Sequence, residues 1–116
     1  VLHKLGQSQG LQFSGKIYVN SWTGNAYVDV NILTYYQTDA ISYQVLSAST
    51  LAPSGIPKTT LQLVQVTIGA SSYVGILKNG GGTGVTYING MMQSNIPYPY
   101  ALTSGYTVTS TIATLN

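Results

Sequence analysis

Between residues 26 and 36 the chain alternates one residue at a time. Ala26, Val28, Val30, Ile32 and Thr34 fall on one face, and Tyr27, Asp29, Asn31, Leu33 and Tyr35 on the other. A period of two belongs to a pleated strand, whereas the apolar positions of a helix recur at three and four. The same preference runs along the whole sequence: β-branched residues and Tyr dominate every apolar stretch, and Glu is absent. The chain is therefore read as all-β.

Further strands follow from the same rule. Residues 41–48 form a weaker candidate, and residues 49–58 hold Pro53, Gly55 and Pro57, which cannot sustain a ladder and so make a loop. Residues 60–68 alternate with a drift that predicts a bulge or two buried faces. Residues 72–77 and 84–88 flank Asn79-Gly80-Gly81-Gly82-Thr83, which predicts a hairpin between them; Gly80 to Gly84 lacks the Lys-Ser or Lys-Thr pair of a phosphate loop. Asn89-Gly90 is the strongest two-residue turn signal and predicts a second hairpin, of 85–88 with 91–94. Pro97 and Pro99 impose extended geometry, and Gly105 opens a final strand over 106–115. Six to eight short strands after residue 25, separated by turns, predict an antiparallel β-sandwich.

Surface chemistry narrows the function. In 116 residues only 5% are charged, against about 25% in an ordinary soluble domain. The exterior must then be Ser, Thr, Asn, Gln, Gly and Tyr. Four scattered lysines (Lys4, Lys16, Lys58, Lys78) and no Arg argue against binding nucleic acid through its phosphates. Apolar runs fall far short of the ~20 residues of a spanning helix, so neither membrane insertion nor a signal peptide is expected. A net charge of +2 repels other copies weakly, and self-association is expected.

The first twenty residues have another rhythm. Short extended pairs, 10–13 and 16–19, are joined by Ser14-Gly15, and a hairpin this small does not hold itself together in water. The pattern Lys4-Leu5-Gly6, Gly10-Leu11-Gln12-Phe13, Ile17-Tyr18-Val19, followed by Ser21-Trp22-Thr23-Gly24, resembles the last shaft repeat and the shaft–head junction of an adenovirus fibre. The size of the remainder is similar to the small heads of the atadenoviruses of reptiles and ruminants. The resemblance covers residues 4–24 and implies a homotrimer: residues 1–20 would end a triple β-spiral shaft, with Leu5, Leu11, Phe13, Ile17 and Val19 at the shared core. Residues 21–116 would form a β-sandwich head, with Trp22 wedged between chains or capping the head core. It further implies a virion-surface protein, assembled in the host nucleus, that binds a host-cell receptor and reaches the penton base through an N-terminal region absent from this sequence.

Chemistry-bearing residues are few. His3 reads as a solvated tail residue, and Asp29 and Asp39 stand ten residues apart without forming a recognisable carboxylate pair. One His, two separated Asp and no Cys fit no zinc or calcium pattern, so no metal or cofactor is expected. Ten tyrosines are the conspicuous resource. Tyr27, Tyr35, Tyr43 and Tyr87 read as packing or trimer-contact residues, and Tyr98 and Tyr100, beside prolines, as receptor-facing. The expected function is attachment without catalysis; the alternatives are a phage or reovirus fibre tip, or a monomeric glycan-binding module.

Overall fold

The computed structural model describes residues 1–80 and 84–116. It is all-β among these residues, with two antiparallel four-stranded sheets. In chain order the strands are β1 (His3–Lys4), β2 (Gln12–Ser21), β3 (Gly24–Thr34), β4 (Ile41–Leu51), β5 (Thr60–Ile68), β6 (Ser71–Asn79), β7 (Gly84–Gln93) and β8 (Thr107–Thr114). The first sheet runs β1-β6-β5-β8 and the second β4-β3-β2-β7. Their facing sides enclose one core that includes Leu11, Phe13, Ile17, Val28, Val30, Ile32, Leu61, Leu63 and Val74.

The alternation in β3 holds: Ala26, Val28, Val30, Ile32 and Thr34 are buried, and Tyr35 and Tyr36 lie beyond the strand in a turn. The irregularity expected in residues 60–68 is also present. β5 shifts register against β8 at Leu63/Val64 and again at Gln65/Val66, and Leu63 and Val64 are both buried.

Residues 1–20 are not set apart from the rest. β1 pairs with β6, and β2 lies between β3 and β7, with Ser14-Gly15 inside one unbroken ten-residue strand. Gly15 turns nothing there: a Cβ on it would press on the Phe13 ring and the Asn89 carbonyl, so its bareness makes room in the core. Leu5, Leu11, Phe13, Ile17 and Val19, expected along a three-chain axis, are buried inside this single chain. The boundary expected at residue 20 falls within a hairpin, where Asn20 pairs Asn25 and Ser21 pairs Gly24.

Both hairpins expected around residue 85 need correction. β6 pairs β5 and β1, whereas β7 crosses to the other sheet and pairs β2, so residues 72–77 and 84–88 are not partners. The tip expected there includes Gly81, Gly82 and Thr83, which lie outside the described residues. Asn89-Gly90 sits in the middle of β7, opposite Lys16 and Gly15. A Cβ on Gly90 would run into the Ser14 carbonyl and the Gly15 backbone, so this glycine serves close approach of two strands. Two-residue turns between paired neighbours are instead Trp22-Thr23, joining Ser21 to Gly24, and Gly69-Ala70, joining Ile68 to Ser71, with Gly69 at φ 61° as a type II′ turn requires. β4 continues to Leu51, three residues into the expected loop.

Candidate binding site

At one end of the second sheet a groove of about 740 Å³ opens to solvent. Its walls come from the segment before β2 (Ser8, Gln9, Gly10), the end of β3 and the turn after it (Leu33, Thr34, Tyr35, Tyr36), Ser42 of β4, and the end of β7 with its following residue (Gln93, Ser94). Among the described residues no ionisable Lys, Asp or His side chain lines it. The β3–β4 turn is built by Asp39, which takes a left-handed φ of 59°, one that Asp tolerates better than most side chains. Its carboxylate accepts the Gly6 amide at 2.9 Å, tying this turn to the β1–β2 connection. Within the turn the Tyr35 hydroxyl donates to the side-chain Oε1 of Gln37 at 3.1 Å, and Nε2 of the same side chain donates to the Tyr36 hydroxyl at 3.0 Å. The two rings meet edge to face at 5.2 Å, half-exposed at the groove.

Beneath one side of the groove lies His3, which the structure buries completely; the expectation of a solvated tail residue is corrected. Its place in β1, between the β6 edge and the residues following β7, is a long-range consequence of folding. Nε2–H donates to the Gln9 carbonyl at 3.1 Å, so the neutral ring keeps its hydrogen on Nε2, since a carbonyl only accepts. Ser94 Oγ lies 2.9 Å from Nδ1 and 2.7 Å from the Leu2 carbonyl. With one hydroxyl hydrogen, Ser94 serves Nδ1 or the Leu2 carbonyl when the ring is neutral. It serves the carbonyl while accepting from Nδ1–H when the ring is protonated. Burial pushes the His3 pKa down, opposed by the Gln9 hydrogen bond and the negative Asp39. Asn95 completes the clasp: its amide donates to the Lys4 carbonyl at 2.7 Å and accepts the Lys4 amide at 3.0 Å, standing in for a missing strand partner of β1.

The other expected site residues are dispersed. Trp22 occupies the two-residue tip of the β2–β3 hairpin and is 81% exposed, capping no core within the chain. Tyr98 is exposed on the segment between β7 and β8, outside the groove, and the Tyr100 backbone is pinned to Val1 by two hydrogen bonds of 2.8 and 3.3 Å. Asp29 lies on the outer face of β3, opposite Lys16, while Asp39 is in the turn, so the structure does not pair them. Among the described residues no three His, Cys, Asp or Glu gather to hold a metal.

On the outer face of the second sheet Tyr87, Tyr18 and Tyr27 sit side by side across β7, β2 and β3, with Tyr18 and Tyr27 centroids 4.9 Å apart. Tyr43 faces the other way, on the core side of β4, yet is nearly half-exposed. Tyr35, expected in a strand as a packing or trimer-contact residue, instead stands half-exposed beyond β3 beside Tyr36. Gln9, Ser42, Gln93 and Ser94 reach the same groove through three different strand connections.

No known protein family, curated protein or solved structure matches this chain.

Proposed function

We propose that this protein is a non-catalytic attachment head, a homotrimer of β-sandwiches displayed on a virion surface, that binds an uncharged glycan of a host cell. The observation that carries the binding role is the groove beside Tyr35 and Tyr36. Its side chains present aromatic rings, amides and hydroxyls and no ionisable Lys, Asp or His. Ring faces suit the C–H faces of a sugar, and amides and hydroxyls suit its hydroxyl groups, with no charge to be desolvated on closing. The groove's volume falls in the range of ordinary ligand sites. All residues from 1 to 116 belong to the head in this reading. The viral setting rests on the sequence resemblance of residues 4–24 to adenovirus fibres alone, since these residues fold as part of the sandwich and not as a shaft, and the sparsely charged composition supports the homotrimer.

Binding of the full chain to a panel of neutral and acidic oligosaccharides, and to cultured host cells, tests the reading. Saturable binding to a neutral member is expected, weakened at least tenfold by Tyr36→Ala and unchanged by Tyr98→Ala. Selective binding to acidic glycans, or loss of cell binding only in Tyr98→Ala, would move the contact away from the groove. No binding to glycans or cells would overturn the attachment role.

A further inference from the structure

The second sheet ends on both sides in long strands, β4 and β7, with no further strand paired to their outer edges among the described residues. β4 has 11 residues and β7 has 10, and neither contains Lys, Asp or Pro. Natural edges are ordinarily guarded by charge, proline, shortness or a covering element. Here nearly every residue of both strands is exposed, on both faces.

The core face of the sheet extends past its cover. Val30 is fully buried in β3, yet its neighbour Val45 in β4 is 36% exposed; Ile32 is fully buried and its neighbour Tyr43 is 46% exposed. On the other side, Ile17 of β2 is 1% exposed and its partner Ile88 of β7 is 42% exposed. The apolar interior thus continues to the two edges and stops in solvent. The chain exposes 6647 Å², about 500 Å² above the ~6,100 Å² expected of a folded monomer of its mass. Spread over two edges, that excess is smaller than one partner's share of a standard interface, about 800 Å², and the rest of each share would come from surface that an ordinary monomer also exposes.

We infer that the occupant is a second copy of this chain, with β4 of one copy pairing antiparallel to β7 of the next, head to tail, so that the second sheets join into one. This rests on the homotrimer reading and supplies its contact. Within a copy β4 and β7 run in opposite directions, because the order β4-β3-β2-β7 is antiparallel at every step. A rotation about an axis along the strands therefore brings β7 beside the neighbour's β4 as an antiparallel pair. Tyr43 and Val45 then lie on the same face as Ile88 and Met92 of the neighbour and cover one another. Three copies close the ring and leave no free edge in this sheet.

Self-pairing of β4 about a two-fold axis is disfavoured by its own geometry. The register shift at Asp29/Val30 leaves Leu46, the central residue of β4, as an extra residue in a bulge. A two-fold pair centred on the strand would set two bulges against each other. Pairing with β7 sets the bulged strand against a regular one, as β3 already does within the chain.

Light scattering on a sizing column tests this with the full chain and with Tyr43→Lys and Ile88→Lys, both on exposed positions, their folding checked by circular dichroism. The expected result is a three-chain mass for the unaltered protein and a one-chain mass for each variant. Each variant keeps one intact edge, so an equimolar mixture is expected to give a two-chain complex, which a two-fold interface cannot produce. A three-chain mass that survives both substitutions, or folded monomeric variants that do not pair on mixing, would overturn head-to-tail pairing and leave the trimer standing on another surface. A one-chain mass for the unaltered protein would overturn both. If a lysine variant does not fold, Tyr43→Ser and Ile88→Thr replace the pair and are read in the same way.

Discussion

The inner strands β2 and β3 and the outer strands β4 and β7 belong to one sheet, and the same residue types behave differently in each pair. Val28 and Ile17 are sealed in the core, whereas Val45 and Ile88, one strand outward, face solvent. Hydrophobicity put neither pair where it is. What differs is whether the first sheet lies overhead, and that depends on the position of each strand in the sheet order. The inner pair builds the core of one chain; the outer pair is the surface through which we propose that copies join.

The largest effect that would test this contrast is at Ile17. Ile17→Ala is expected to cost about 2–5 kcal/mol by opening a cavity, read as a fall in the urea midpoint. Ile88→Ala, at concentrations too low for assembly, is expected to cost under about 1 kcal/mol, because half-exposed surface loses little. Equal costs would erase the distinction between the strands. Gly90→Ala comes next: its methyl meets the Ser14 carbonyl and Gly15, and about 1–3 kcal/mol of overpacking loss is expected in the same measurement. An unchanged midpoint would mean that β2 and β7 are not so closely apposed.

Thr59 sharpens the picture from the other side. Its hydroxyl is buried without a hydrogen-bond partner among the described residues. Thr59→Val keeps the shape and removes the desolvated oxygen, so a gain of about 1 kcal/mol is expected. A loss would reveal a partner for the hydroxyl.

The smallest effect is a slope with pH. The folded state lowers the His3 pKa below its ordinary value of 6.5. The unfolded chain then holds more protons between the lowered value and 6.5, and stability rises with pH through that window. The contribution is fully present above pH 6.5 and is lost as pH falls through the depressed folded value. Unfolding midpoints collected from pH 7.5 down to 4.5 are expected to show this slope, and His3→Gln to flatten it. An identical slope in the variant would remove His3 as its source.

Much of this was legible in the sequence, and the rest was not for a definite reason. The inward face of β3 could be read from residues 26 to 34 because a period of two is a local property. The break in β5 could be read because the alternation itself falters. Asn89-Gly90 misled because a glycine needed for a turn and one needed where two backbones approach look the same in one dimension. The groove was invisible, since Gln9, Tyr36, Ser42 and Ser94 are ordinary residues until three connections bring them to one end of the sheet. His3 looked like a tail residue because its partners, Ser94 and Asn95, stand ninety residues away.

By itself, then, the sequence determined the class of structure and the face on which β3 hides its apolar side chains, through backbone preference and side-chain alternation, both of which act between near neighbours. The tertiary structure alone decided which strands pair, that residues 1–20 share the sandwich with the rest, and that β4 and β7 end uncovered. Those outcomes depend on contacts between distant segments competing for the same buried space, and no single stretch of sequence carries that competition.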